Sequence, residues 1–250
     1  VVDDLAALDG GIDHRVAVQS LDGRLDEETH EAEPYPVLLL ERILVAGAQG
    51  HHGRHVHLIE GGQHGRRLLG LDHPLRLNCG VDIGPFTVAY QTYGTLNADK
   101  SNAILVCHAL TGDQYVVDQH PITGKSGWWE TVVGPGRPLD TDRFFVISAN
   151  VLGGCKGTTG PSSLDPATGK PYGLRFPHLQ VRDLVTVHRA LLEKLGVKKL
   201  LAAIGGSLGG MQVLQWAIDH PDEIDGAVIV AASARLTAQN IAFSAVAREA

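Results

Sequence analysis

The sequence predicts an α/β fold, in which a mainly parallel sheet has helices on both faces. Short apolar runs, typical of strands buried on both faces, recur at residues 103–107, 144–149 and 199–204. Between the last two runs, residues 181–195 place apolar side chains at helical spacing. Strands that alternate with helices in this way favour parallel pairing, because each helix returns the chain to the same end of the sheet.

Composition narrows the class of protein. The 250 residues have a formal net charge of −7, which argues against a nucleic-acid partner, and contain no apolar run long enough to cross a membrane. The three cysteines have no metal-like spacing, so we expect reduced thiols, a cytoplasmic location and no metal site. The first residue is Val1 and the single methionine is Met211, which indicates a fragment or an open reading frame translated literally.

Residues 1–74 differ from the rest of the chain. They hold eight of the thirteen histidines, one aromatic residue and no lysine, and no period of 2 or 3.6 persists in them. We interpret residues 1–74 as an unassigned leader, disordered or spuriously translated, that contributes nothing to the fold, and residues 75–250 as the core domain. A metal site at the histidines of residues 51–57 is disfavoured, because no cysteine or carboxylate framework accompanies them.

The first elements of the core domain are predicted from alternation and from turn residues. Residues 75–79 and 86–93 are typical of two paired strands, with a turn at 82–85 between them. The strand at 103–107 ends in the loop 108–112. That loop lies at the carboxyl end of a buried strand, which is where α/β sheets place their chemistry.

Two long irregular segments, 113–142 and 150–173, flank the apolar run at 144–149. Irregular segments of this length inside a domain are usually functional or pack as a layer of their own. We interpret the second as a pocket-shaping loop. The glycines at 153–157 do not form a phosphate-binding loop of the usual kind, because no Gly-Lys-Ser/Thr follows them.

The second half of the core domain alternates helices and strands. The helix at 181–195 ends at Gly196, a residue typical of a helix C-cap. His188 lies on the apolar face of this helix, and we interpret it as a packed residue rather than a catalytic one. A strand is also predicted at 225–232 and a helix at 236–250.

A serine stands between a strand and a helix in the pattern Gly205-x-Ser207-x-Gly209. The strand is the apolar run at 199–204, and helical spacing continues after the serine until Pro221. In this context the pattern is typical of a nucleophile elbow, in which a strained turn exposes the serine hydroxyl. We therefore predict that Ser207 is a catalytic nucleophile. The alternative is an ordinary glycine-rich turn.

Several uncommon strings occur in the order in which one enzyme family has them. They are the residues at 89–97, 108–112, 127–130, 134–136, 150–157, 205–212 and 238–243. Through these strings, the chain from about residue 75 onward resembles the homoserine O-acetyltransferases, enzymes of methionine biosynthesis with the α/β-hydrolase fold. The resemblance implies an α/β-hydrolase fold that is incomplete at the C-terminus. The family's catalytic Asp and His, its lid helices and its last strands would all follow residue 250.

The resemblance implies a two-step acyl transfer, from acetyl-CoA to Ser207 and from there to the hydroxyl of L-homoserine. The oxyanions would be bound by the backbone N–H groups of Leu110 and of Leu208, which stands where the family usually has Met. Acetyl-CoA is expected as a co-substrate, with no bound cofactor. The expected partners are these small molecules, without nucleic acid or membrane, and the complete family member is expected to be a homodimer.

Three alternatives stay open at this point. The chain can be a homoserine or serine O-succinyltransferase of the same family, a serine esterase, or a truncated fragment without function. The general base is a further question, because the only histidine downstream of Ser207 is His220, roughly 20 Å away along a helix that rises ~1.5 Å per residue. His108 would violate the Ser, Asp, His chain order of the fold. We therefore expect no turnover from these 250 residues alone.

Overall fold

The computed structural model describes residues 15–19, 67–121 and 123–249. Its strands are β1 (Arg15–Gln19), β2 (Arg67–Leu71), β3 (Leu75–Arg76), β4 (Asp82–Ile83), β5 (Phe86–Tyr93), β6 (Ala103–Cys107), β7 (Val133–Gly134), β8 (Leu139–Asp140), β9 (Phe145–Ala149), β10 (Ala202–Gly206) and β11 (Gly226–Val230). The α-helices of these residues are α1 (Val181–Leu195), α2 (Leu208–Asp219) and α3 (Ala238–Glu249).

One seven-stranded sheet has the order β1-β11-β10-β6-β9-β5-β2. The first five strands in this order pair in parallel, whereas β5 runs antiparallel to β9, and β2 antiparallel to β5. The mainly parallel α/β fold predicted from the sequence is confirmed. It places the carboxyl ends of β6, β9 and β10 side by side at one edge of the sheet.

The central strands are buried on both faces, which explains their continuous apolar runs. In β6, Ala103, Leu105 and Cys107 belong to one core cluster, while Ile104 and Val106 belong to the other. The alternation follows from strand geometry, because successive side chains point to opposite faces. A central strand of this sheet therefore has no polar face, as the sequence indicated.

The two faces are covered by different structures. Helices α1 and α2 pack on the first face, where Leu191 of α1 and Trp216 of α2 are buried in the core. The second face is covered by the irregular segment 113–144, which contributes the buried side chains of Val116, Val133, Leu139 and Phe144. The long segment that the sequence left without secondary structure is thus a layer of the fold.

Helix α1 has the bounds predicted from its periodicity. It begins after Gln180, whose backbone N–H donates to Asp183 Oδ2 at 2.7 Å, and it ends at Gly196, which has a left-handed φ of 71°. The other oxygen of Asp183 accepts the backbone N–H of Asn78 at 2.8 Å. Asp183 therefore caps its own helix and also fastens the segment after β3 to it.

The predicted boundary at residues 74 and 75 is wrong for the described residues. Strand β2 lies before that boundary. It pairs antiparallel with the first five residues of β5, so that Arg67 lies opposite Tyr90 and Leu71 lies opposite Phe86. Leu71 is buried in the core, so these residues contribute to the fold. Strand β1 also lies in the supposed leader and pairs in parallel with β11. Residues 1–14 and 20–66, including the histidines of 51–57, lie outside the described residues.

The predicted hairpin is also rearranged. Strand β3 pairs with the short strand β4, while β5 takes β2 and β9 as its neighbours. The reason is a tight turn between β3 and β4. In this turn the Leu77 N–H donates to the Val81 carbonyl and the Gly80 N–H donates to the Leu77 carbonyl, both at 2.9 Å. The turn ends the alternating run after two paired residues.

Helix α3 forms where a helix was predicted, but it buries no residue. Its apolar side chains Ile241, Phe243 and Val246 are each more than half exposed. Among the helices of the described ranges, none is long and apolar enough to span a bilayer.

Candidate active site

Ser207 lies in a strained turn between β10 and α2. Its φ of 55° and ψ of −121° are rare for a residue with a side chain, and such a conformation costs roughly 1–3 kcal/mol. Two hydrogen bonds hold it: the Ser207 N–H donates to the Val230 carbonyl, and the Met211 N–H donates to the Ser207 carbonyl, each at 3.0 Å. The side chain of Ser207 is exposed at the carboxyl end of the sheet. The predicted strand, serine and helix are therefore present in the order that an elbow requires.

Two glycines are required by close packing around this turn. A Cβ atom on Gly205 would overlap the backbone of Gly209, and a Cβ atom on Gly209 would overlap the carbonyl of Cys107. The pattern Gly-x-Ser-x-Gly thus lets the first turn of α2 lie directly against the end of β6. This contact brings the turn at Ser207 next to the loop 108–112.

The two proposed oxyanion donors come from these neighbouring segments. Leu208 is the first residue of α2, where N–H groups have no partner within the helix. Leu110 lies in the loop after β6, with its side chain 75% exposed. Within the described ranges, neither backbone N–H donates to a protein acceptor. Both amides are therefore available to a ligand, and the assignment of an oxyanion hole to them stays a prediction.

His108 is buried between the ends of β6 and β9. Its Nδ1 lies 2.7 Å from the Ala109 carbonyl, and its Nε2 lies 3.2 Å from the Val151 backbone N–H. Burial lowers the pKa of His108, with partial compensation from the Ala109 carbonyl and the charge of Asp113. Because both ring nitrogens already have partners, His108 is unsuited to act as a general base for Ser207.

A buried polar chain lies beneath the elbow on the helix side. His188 Nε2 is 2.8 Å from Gln212 Oε1, and Gln212 Nε2 donates to the Leu208 carbonyl at 3.3 Å. Burial lowers the pKa of His188 from 6.5 to about 4, although the Gln212 bond opposes the shift. The sequence predicted His188 as a packed residue, and the structure places it in the core. The sequence analysis did not identify Gln212, whose side-chain amide is fully buried. The available signal was its position on the helix beside the apolar residues Val213 and Trp216, where a polar side chain needs a buried partner.

Asn150 is a second residue that the sequence did not single out. Its side-chain oxygen accepts the Lys156 backbone N–H at 3.2 Å, and its backbone carbonyl accepts the Thr158 hydroxyl at 2.7 Å. Thr158 also accepts the backbone N–H of Ala89 at 3.0 Å. The loop after β9 is therefore fastened to β5, and its ordered backbone supports the wall of the site on that side.

The described residues contain no base in contact with Ser207. His220 follows α2, so the whole helix separates it from the serine, a distance of roughly 20 Å at ~1.5 Å per residue. Within the described ranges, no histidine or carboxylate forms a hydrogen bond with the Ser207 hydroxyl, and no group of three or more His, Cys, Asp or Glu could hold a metal ion. Ser207 and the Leu208 amide lie together at the start of α2, close to the end of β6 that leads into the loop containing Leu110, and within the described residues no general base accompanies them.

Comparison with known proteins agrees with this geometry. The family model of the alpha/beta hydrolase fold matches residues 102–247. The chain is 58% identical over 183 residues to the homoserine O-acetyltransferase of Rhodopseudomonas palustris (strain BisB18), which covers 73% of this chain and 46% of the relative. It is also 58% identical over 183 residues to the homoserine O-succinyltransferase of Nocardioides sp., covering 73% and 50%. The chain thus spans about half the length of the curated relatives it matches.

Solved structures include both transferases and esterases. A crystal structure of a variant of esterase E22 matches with 38% identity and a TM-score of 0.66, over 71% of this chain and 50% of that one. The homoserine O-acetyltransferase from Bacillus anthracis matches with 33% identity and a TM-score of 0.60, over 64% and 44%. These relatives confirm the resemblance that the sequence strings indicated.

Proposed function

The chain belongs to the alpha/beta hydrolase fold family, and we propose that it is the nucleophile-bearing part of an acyltransferase that moves an acetyl group from acetyl-CoA to L-homoserine. One observation supports this proposal most. A segment 58% identical to named homoserine O-acetyltransferases holds an exposed, strained serine at the start of a helix, and the backbone N–H of the next residue, Leu208, has no protein acceptor within the described residues.

The proposed first step is attack of the Ser207 hydroxyl on the thioester carbonyl of acetyl-CoA. A serine hydroxyl is a weak nucleophile, so a base must take its proton as the new C–O bond forms. The negative charge that develops on the carbonyl oxygen is accepted by the N–H groups of Leu110 and Leu208, near the positive end of the α2 dipole. Breaking of the C–S bond then releases CoA and leaves an acetyl ester on Ser207.

The second step transfers the acetyl group to the acceptor. The hydroxyl of homoserine attacks the acetyl ester, the same two amides bind the second oxyanion, and Ser207 recovers its proton as the product ester leaves. In the resembled family, the histidine that moves these protons and its acidic partner come from sequence that follows the stretch matched here. The described residues supply the nucleophile and the oxyanion donors for both steps.

The free cysteines of the described residues are weaker candidates for the nucleophile. Burial raises the pKa of Cys107 to about 12, so its thiol stays protonated and inaccessible. Cys79 and Cys155 are exposed, but neither lies in a strand-to-helix turn. Ser207 alone among these groups combines exposure, a strained turn and adjacent amide donors.

Two alternative reactions have specific support. A homoserine O-succinyltransferase is as similar to the chain as the acetyltransferases are, so succinyl-CoA is the alternative donor. The similarity to esterase E22 supports transfer to water. Both alternatives use the same serine and the same amides, and they differ in the acyl group or in the acceptor.

The remaining parts of the proposal concern the complete enzyme. We propose a cytoplasmic homodimer that binds no cofactor and uses acetyl-CoA as a co-substrate. The location is supported by an odd number of cysteines without metal-like spacing, which is typical of reduced thiols. The homodimer is supported by the resemblance alone.

The test joins these 250 residues to the C-terminal part of the Rhodopseudomonas palustris relative, giving an extended chain with a general base. With acetyl-CoA and homoserine, the extended chain should form O-acetylhomoserine, and Ser207→Ala should abolish it. Ser244→Ala is the matched control, because Ser244 is exposed on α3. Faster use of succinyl-CoA or of water would favour the corresponding alternative, and product formation by Ser207→Ala would refute the proposed nucleophile.

A further inference from the structure

The carbonyl that contacts His108 belongs to the same peptide group as the N–H of Leu110. A peptide bond is planar, so the Ala109 carbonyl and the Leu110 N–H are fixed in one plane and point in opposite directions. His108 Nδ1 lies 2.7 Å from that carbonyl oxygen. Whatever orients the carbonyl therefore also orients the N–H on its other side.

The partners of His108 determine which ring nitrogen has the proton. Nε2 faces the backbone N–H of Val151, which can only donate, at 3.2 Å. It also faces the Asn150 side-chain nitrogen at 3.3 Å. That amide is oriented by its oxygen, which accepts the Lys156 N–H at 3.2 Å. Nε2 is thus an acceptor, and a neutral ring must then have its proton on Nδ1, where it donates to the Ala109 carbonyl.

The ring is held rigidly enough to orient the peptide. His108 and Asn150 are each 1% exposed, so the ring and its contact with Asn150 are shielded from solvent. Its anchors Asn150 and Val151 follow β9, the strand that pairs with β6 in the sheet. The histidine therefore connects the loop after β6 to the end of a neighbouring strand that is itself fastened to β5 through Thr158.

We propose that His108 is a positioning residue that aims the Leu110 N–H at the oxyanion, by donating its Nδ1 proton to the Ala109 carbonyl. The inference rests on the proposed function for the identity of the ligand, but not for the orientation of the peptide. A second proton, added to Nε2, would point at the N–H groups of Val151 and Asn150, which are themselves donors, so the contacts of Nε2 disfavour a charged ring. The lowered pKa that burial gives His108 agrees with a ring that stays neutral.

The first arm of the test reads the proton directly in the unaltered 250-residue chain. Nitrogen-15 NMR of the imidazole should show His108 as the Nδ1–H tautomer, with Nε2 as an unprotonated acceptor. The Nε2–H tautomer or a charged ring would overturn the proposal. This arm needs no substitution and no enzymatic activity.

The second arm compares His108→Asn with His108→Leu. An asparagine amide can place an N–H where Nδ1–H lies, leucine cannot, and neither reaches Val151, so their difference isolates the bond to Ala109. The Ala109 carbonyl and Leu110 amide resonances should stay near those of the unaltered chain in His108→Asn and shift in His108→Leu. Equal spectra for the two variants would refute the proposed bond.

The third arm uses the extended chain, which has a general base, and measures acylation of Ser207 by p-nitrophenyl acetate, detected by mass spectrometry of the Ser207 peptide. Loss of one oxyanion donor costs about a hundredfold in related chemistry, so His108→Leu should slow acylation by at least about tenfold, and His108→Asn should recover most of the rate. Equal rates in the two variants would refute the positioning role. If Ser207 is not acylated even in the extended chain with His108 unchanged while the first two arms hold, the proposed function fails and the orientation of the peptide stands.

Discussion

Gly209 lies so close to Cys107 that a Cβ atom on the glycine would overlap the Cys107 carbonyl oxygen. This contact joins the first turn of α2 to the end of β6, the two segments that supply the candidate oxyanion donors. The obstacle is backbone, which cannot rotate away as a side chain can. The close approach of α2 to the end of β6 therefore depends on the absence of a side chain at one position.

Gly209→Ala should lower both stability and function. Overpacking a close contact of this kind costs about 3 kcal/mol, because either α2 or β6 must move. Gly206→Ala is the matched control: it lies three residues away, and the nearest atom to its added Cβ would be the Val230 carbonyl at 3.8 Å, an ordinary contact. Urea denaturation should show a change below about 1 kcal/mol for the control. Equal loss in the two variants would contradict the proposed packing.

Strand β2 should contribute to stability, although the sequence assigned it to a leader. A chain beginning at Asp72 should melt at a lower temperature than one beginning at Arg67, because it loses five residues paired with β5 and the buried Leu71. Leu71→Ala in the full chain should cost about 3 kcal/mol, as truncation of buried leucines does. Equal melting temperatures for the two shortened chains would restore the original boundary at residue 74.

The sequence predicted those elements whose signal is local. Helix α1 has its own periodicity and its Gly196 cap, and the turn at Ser207 is marked by glycines on both sides. Strand β2 has only a few apolar residues beside Arg66 and Arg67, and its strand structure comes from pairing with the distant β5. Local patterns do not contain such long-range pairings.

The missed parts of the site are also long-range. His108 was visible as a loop residue, but its contacts with Asn150 and Val151 join positions more than forty residues apart. The second face of the sheet is covered by isolated apolar residues such as Val116 and Val133, which form no periodic pattern in the sequence. Predicting either feature requires knowledge of the strand order, which places β6 beside β9 and is not contained in any local pattern of the sequence.

Stability should decrease as the pH falls from 7 to 5. Burial lowers the folded-state pKa of His108, and that of His188 to about 4, while the unfolded chain has ordinary histidines near 6.5. Below pH 6.5 the unfolded state thus binds protons that the folded state excludes, so the free energy of unfolding decreases as the pH falls. For His188 the full effect, reached near pH 4, is about 3 kcal/mol at ~1.4 kcal/mol per pKa unit.

The histidine responsible can be identified with two variants. His188→Gln keeps an N–H for Gln212 but does not titrate, so its free energy of unfolding should depend less on pH between 7 and 5. His178→Gln is the matched control, because it replaces an exposed histidine in the same way. A slope unchanged in His188→Gln would show that His188 does not titrate on unfolding in this range.

The 250 residues alone should not turn over acetyl-CoA. Within the described residues no base contacts Ser207, and loss of the base lowers turnover on the order of a million-fold in a serine hydrolase. CoA release with homoserine should therefore be at background for this chain and clear for the extended chain. Comparable rates would require a base within the 250 residues, for which His220→Ala and His108→Asn would be the first variants to examine.

The central claim is that Ser207 forms an acetyl ester during transfer. The extended chain, incubated with labelled acetyl-CoA without homoserine and quenched in acid, should have one acetyl group on the peptide that contains Ser207. Added homoserine should remove that label and yield labelled O-acetylhomoserine, and Ser207→Ala should show neither event. Label on Cys107 or Cys155, or product formed without any label on Ser207, would contradict the account.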